Sequence, residues 1–185
     1  MGARDKDEAV SGGYLTTAPK VERRLDEDVP MTDAGEGDAG PPPMLTLERL
    51  NAFLSEIFPP SVASSLGRVE RQTAQSLLMV RPFTEDMLRP GRVVSGPTLM
   101  ALADVAAFAL ILGRVGEQPM TVTTALNIHF LRPARPGPVS AEATLLRLGR
   151  RLAVVSVRLW TNDDDDAAMA TVTYALPPAE RRSEP

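Results

Sequence analysis

One aspartate stands in a stretch with almost no other polar side chain. From Thr98 to Leu112 the residues are nearly all apolar, and Asp104 carries the only charge among them. An ionised carboxylate inside an apolar helix costs several kcal/mol unless it is paired or hydrogen-bonded, and aspartate is a poor helix former. The positions one turn away, Met100, Ala101, Ala107 and Phe108, offer no cation. Either Asp104 looks out from one helix face to solvent or a backbone amide, or it is kept for chemistry. A carboxylate shielded from water is suited to act as a general base or nucleophile. The absence of any local partner favours that second reading.

Other reactive groups are scarce. There is no cysteine, which excludes disulfides, thiol nucleophiles and thiolate metal sites. The single histidine, His129, excludes a His-rich metal site and any mechanism needing two imidazoles in one subunit. His129 reads as a surface or interface residue, and Trp160 and Tyr174 read as packing. Ser95 lacks a G-x-S-x-G elbow and suits a helix cap better than a nucleophile. The acid run Asp163 to Asp166 reads as a solvated turn. With 20 Lys+Arg against 24 Asp+Glu the net charge is −4, whereas a nucleic-acid surface normally needs a basic excess.

The elements that would position Asp104 follow from periodicity. The chain has 185 residues, enough for one ordinary domain. Residues 1–43 hold ten acids and five bases, show no period of 2 or 3.6, and end in Pro41-Pro42-Pro43. They are expected to be a disordered arm, dispensable for activity because they have no apolar face to offset their ordering entropy. From Met44 onward Leu45, Leu47, Leu50, Phe53, Leu54, Ile57 and Phe58 recur at helical spacing up to Pro59-Pro60. Residues 68–81 have strand-like content, and 82–97 read as loop. Next comes the apolar helix Thr98–Leu112, with Pro97 in its first turn, Ser95 or Gly96 at its cap and Gly113 as a stop. A helix apolar on all sides is normally buried, and this run falls short of a membrane span. Strands follow at 121–131, 138–148, 151–162 and 167–176, with a hairpin at Gly149-Arg150 and a polar tail after them. In the first of these the even positions are mostly apolar, so the odd ones, Thr121 and Thr123 among them, are expected to face away from the helix. The arithmetic is an α+β fold, a long antiparallel sheet curled around one helix. No signal-like apolar run opens the sequence, and a cytoplasmic address is expected.

The segments SGPTLMALADVAAFA, TVTTALNIHFLRPARPG and LGRRLAVVSVRLW resemble the hotdog-fold acyl-CoA thioesterases of the phenylacetate-degradation type. The resemblance spans residues 60–176. It implies a hotdog domain over 44–177 with a flexible tail at 178–185. It also implies hydrolysis of an acyl-CoA to free acid and CoA without metal or cofactor, in a homodimer or homotetramer whose site uses residues of both subunits. Asp104 falls on the family's catalytic carboxylate. Gly96 falls on the glycine whose N–H polarises the thioester carbonyl, and Thr123 on the Ser/Thr that helps hold the hydrolytic water. Ser95 stands where the family usually has His, Arg89 where a catalytic Asn is often found, and Ala125 where an acid is common. Ser95, Asn127, Arg132, Arg150 and Arg151 are candidates for substrate contact, the arginines because guanidinium groups suit CoA phosphates. With the family's His and Asn replaced, the rival is a non-catalytic acyl-CoA-binding protein of the same fold.

Overall fold

A computed structural model describes residues 43–63, 65–162 and 165–178. The expected arm at 1–43 and the tail at 178–185 fall almost wholly outside these residues, as do Asp163 and Asp164 of the acid run. Helix α1 (Leu47–Ile57) opens on Thr46, whose hydroxyl accepts the Arg49 N–H, and it buries Leu50, Phe53 and Leu54. A single turn, α2 (Pro60–Ala63), begins on the second proline of the pair. Strand-like residues 68–81 form two strands rather than one, β1 (Arg68–Gln72) and β2 (Ser76–Arg81). Thr73 makes the reversal, its hydroxyl accepting the Gln75 and Ser76 N–H groups. The expected loop carries one 3-10 turn (Glu85–Met87) and a small ladder, β3 (Leu88–Arg89) with β4 (Val93–Val94).

The apolar run is helix α3 (Gly96–Val115), longer at both ends than the periodicity gives. Ser95 caps it by accepting the Thr98 N–H, and Gly116 ends it at φ 84°. At 20 residues it has the length and apolarity to cross a membrane, contrary to the sequence expectation, yet most of its surface is buried inside the fold. It is a core helix.

Four antiparallel strands follow: β5 (Val122–Phe130), β6 (Val139–Leu148), β7 (Leu152–Trp160) and β8 (Ala168–Ala175). They join the first two in one sheet of order β1-β2-β6-β7-β8-β5. Helix α3 lies across β2, β6, β7 and β8. The inward side chains Val139, Ala141 and Ala143 of β6, Val155, Val157 and Leu159 of β7, and Ala168, Ala170 and Val172 of β8 close the core against it. Many are alanine, which lets the helix approach the sheet closely.

Burial of α3 is not complete. Leu102, Ala103, Ala106 and Ala107 are buried, whereas Met100 and Ala101 are exposed and Asp104 and Val105 half-buried. Positions spaced by three and four residues share a helix face, so the sheet leaves one flank uncovered. β5, at the end of the sheet, has one edge without a strand partner among the described residues, and Val122 and Phe130 at its two ends are 54% and 53% exposed.

Asn51 ties α1 to the sheet. Its amide oxygen accepts the Val69 N–H at 2.9 Å, and its amide nitrogen donates to the Val69 and Leu47 carbonyls at 3.0 and 3.1 Å. Val69 is buried. Asn51→Leu keeps the side-chain size and leaves both backbone groups without that partner, so it should lower stability by about 1–3 kcal/mol. Denaturant midpoints of parent and variant check this.

Candidate functional site

Asp104 lies on the uncovered flank of α3, and the sheet supplies what its own helix lacks. Thr123 of β5 donates to its Oδ1 at 2.8 Å. Tyr174 of β8 donates to the same oxygen at 2.7 Å and also approaches the Asp104 carbonyl oxygen at 2.9 Å. The two donors are directly opposite each other in the β5–β8 ladder.

Their convergence depends on a bulge. The β5–β8 register shifts between Thr123 and Ala125, and the extra residue, Thr124, donates its hydroxyl to the Thr173 carbonyl at 3.1 Å. An inserted residue resets the two-residue alternation of a strand. Thr123 therefore faces the helix from an odd position, while Leu126 and Ile128 pack on the core from even ones. The expectation that Thr121 and Thr123 turn away fails at this bulge: Thr121 is buried at 5% exposure, and Thr123 is half-buried on the aspartate.

Tyr174 is also more than packing. Only 3% of it is exposed, and its ring stacks on Phe108 at 5.9 Å between centroids and 24° between planes. Asp104 and Phe108 are one helical turn apart, so one tyrosine spans both, ring on ring and hydroxyl on carboxylate. Burial first, and the Asp104 charge second, push the phenol well above its ordinary value. It stays a proton donor across the whole working range of pH.

The sequence carried the signal that each of these two groups needs a partner, though not that they meet. Tyr174 occupies an inward position of β8, a buried phenol needs a hydrogen-bond partner, and Asp104 is the only charged residue along the apolar helix core.

A cleft of about 350 Å³ opens beside the carboxylate, lined by Ile57, Phe58, Val105, Phe108, Pro119 and Val122 together with Asp104, Thr121, Thr123 and Tyr174. Among the described residues its titratable side chains are Asp104 and Tyr174, and none of them that lines it is a cation. Phe58 meets Phe108 edge to face at 6.3 Å. The walls suit an apolar group, and the single carboxylate at their edge suits proton abstraction or attack.

The remaining sequence candidates lie elsewhere. Gly96 opens α3 eight residues before Asp104, or about 12 Å along the axis. Within one chain the two cannot reach the same small reacting group. Pro97 has no N–H, so of the first two helical residues only Gly96 brings an amide proton to the positive end of the helix. A side chain at Gly96 would meet the Phe130 ring, with Cβ only 3.2 Å from Cζ. Ser95 is the cap, its hydroxyl also 2.9 Å from that of Thr98. Asn127 is exposed and alternates with the core-facing Leu126 and Ile128, which puts it on the outer face of the sheet, away from Asp104. Arg132 pairs with Asp165 beyond the Phe130 end of β5. Arg150 and Arg151 form the β6–β7 turn at the other end, where Leu152 pairs with Ala175 and Ala175 with Val122, beside the cleft. Among the described residues no group of acids and His is arranged to hold a metal.

Because its folded-state phenol is raised above 10.0, Tyr174 contributes stability that is intact below that pH and lost as the pH climbs beyond it. Tyr174→Phe should flatten the alkaline fall in stability, as denaturant midpoints measured across the alkaline range would report.

The thioesterase superfamily model matches residues 91–168, from just ahead of the α3 cap to the start of β8. Thioesterase PA1618 of Pseudomonas aeruginosa is 30% identical over 139 residues, covering 74% of this chain and 93% of that protein. The crystal structure of a mutant of it aligns with a TM-score of 0.63 at 27% identity, over 73% of this chain and 96% of the other. A candidate thioesterase from Silicibacter aligns at 0.68 with 33% identity, over 74% and 94%. The medium/long-chain acyl-CoA thioesterase YigI of Salmonella typhimurium is 27% identical over 157 residues, covering 72% of this chain and 97% of that one.

Proposed function

This chain belongs to the thioesterase superfamily and is a thioester hydrolase of the hotdog fold, and from that premise we propose that it cleaves an acyl-CoA with Asp104 as the general base or nucleophile. The observation that carries the reading is the carboxylate itself, set at the edge of an apolar cleft with two hydroxyls on one oxygen. The acyl group occupies the cleft between Phe58, Phe108 and Val122. The name of the YigI relative supports an acyl-CoA as substrate.

In the general-base form, Asp104 takes a proton from a water that Thr123 helps to hold, and the resulting hydroxide attacks the thioester carbonyl carbon. The carbonyl oxygen becomes an oxyanion that needs a preorganised donor. Collapse of the tetrahedral intermediate breaks the C–S bond, and the CoA thiolate leaves and takes up a proton. In the nucleophilic form the carboxylate attacks first, and water then opens the mixed anhydride.

The oxyanion donor is Gly96 of a second copy. β5 has an open edge and an apolar stripe beside it, and an exposed strand edge invites pairing. Antiparallel pairing of β5 with its own copy about the strand centre sets the Val122 end of one chain beside the Phe130 end of the other. Gly96 packs on Phe130, so this pairing carries the partner's Gly96 towards Asp104. It also brings the partner's Arg132 to the end where Arg150 and Arg151 lie, and these three serve the CoA phosphates. The chain should therefore elute as a dimer or tetramer at micromolar concentration by size exclusion with light scattering. A monomer that still turned over substrate would contradict the shared site.

A panel of acyl-CoAs assayed for release of free thiol tests the reaction. Asp104→Asn keeps the side-chain shape and removes the base, so turnover should fall by about 10²–10⁴-fold. Stability should change little, since the charge removed is only half-buried and an asparagine Oδ1 still accepts from Thr123 and Tyr174. Tight acyl-CoA binding with no thiol release by the parent would make the chain a binding protein instead.

A further inference from the structure

We infer that Tyr174 is a positioning residue for this reaction, its hydroxyl fixing Oδ1 of Asp104 so that Oδ2 is turned to the cleft. The inference rests on the proposed role of Asp104. Three features of the fold combine in it. Tyr174 sits directly across the β5–β8 ladder from Thr123, so its height along the helix is set by the sheet register. Its ring is held flat against Phe108, one turn from Asp104 on the same helix. Its hydroxyl proton is shared between Oδ1 at 2.7 Å and the Asp104 carbonyl at 2.9 Å, so it clamps side chain and backbone of one residue together.

This clamp solves a problem that Thr123 alone leaves open. One hydrogen bond lets a carboxylate rotate about its own axis, and a second donor on the same oxygen from a different strand stops that rotation. Oδ2 takes part in neither bond. Among the described residues the cleft lining holds no cation to meet the negative charge, and two neutral donors do that work.

Tyr174→Phe tests this in the full-length protein, because it retains the ring and its stack on Phe108 and removes only the hydroxyl. The expected result is a fall in kcat of about tenfold or more, in line with loss of one hydrogen bond to a charged group. KM for the same acyl-CoA should change by less than about twofold, since the hydroxyl is spent on Asp104 rather than on substrate. The acid limb of the kcat/KM profile should move to higher pH, because the anion has lost a donor. Tyr174→fluorotyrosine, whose phenol is the stronger donor, should move that limb the opposite way, and it serves if the phenylalanine variant does not fold. A carbon-13 carboxyl titration of Asp104, assigned with Asp104→Asn, reads the same displacement without any substrate. Unchanged kcat and an unmoved Asp104 titration in the variants would overturn the inference and leave Asp104 as base intact. Absence of thiol release by the parent would overturn the proposed reaction, and the carboxyl titration would still decide whether Tyr174 holds Asp104.

Discussion

A negative charge carried by a helix that must pack against a sheet is the constraint on which the rest depends. Helix α3 is apolar enough to be the core of the domain, and Asp104 is the one carboxylate it carries. Sinking an unpaired carboxylate into alanine and leucine would be severely unfavourable. The fold meets this by rotating the helix so that Asp104 sits at the boundary between the covered and uncovered flanks, within reach of two hydroxyls. Residues 102, 103, 106 and 107 then face the sheet, and the alanines of the inner strands accommodate them. Site and core are thus one packing solution.

The sheet contributes through a local irregularity. A regular β5 would turn Thr123 outward and would deprive Asp104 of one donor. The bulge at Thr124 re-aims it, a use for which bulges near functional sites are common. Tyr174 needs no such device, because β8 alternates regularly from Ala168 to Ala175 and delivers the phenol inward. Two strands, one irregular and one regular, therefore bring two hydroxyls to the same oxygen. The stacked ring of Phe108 completes the frame from the helix side.

What a single chain leaves unfinished is also physically coherent. The uncovered helix flank, the open edge of β5 and the exposed Val122 and Phe130 adjoin one another. The positive end of α3 and the carboxylate are separated by the length of two helical turns, too far for one small substrate group to touch both. A carboxylate near the middle of one helix and an amide at that helix's N-terminus suit a two-fold pair of helices, in which the N-terminus of each lies beside the middle of the other.

The sequence by itself determined the helix, the strands after it, the antiparallel sheet and the singular status of Asp104. These follow from local periodicity and from the cost of one charge among apolar side chains, which need no knowledge of distant contacts. It also supported the family resemblance that the superfamily match and the solved structures bear out. Tertiary structure alone decided that residues 68–81 are two strands, that Thr123 faces inward, that Tyr174 holds the carboxylate and that Gly96 is remote from it in the same chain. A bulge is a matter of register between strands far apart in sequence, so alternation within β5 could not reveal it. Tyr174 lies 70 residues from Asp104, and only the packing of β8 on α3 could bring a phenol and a carboxylate to 2.7 Å.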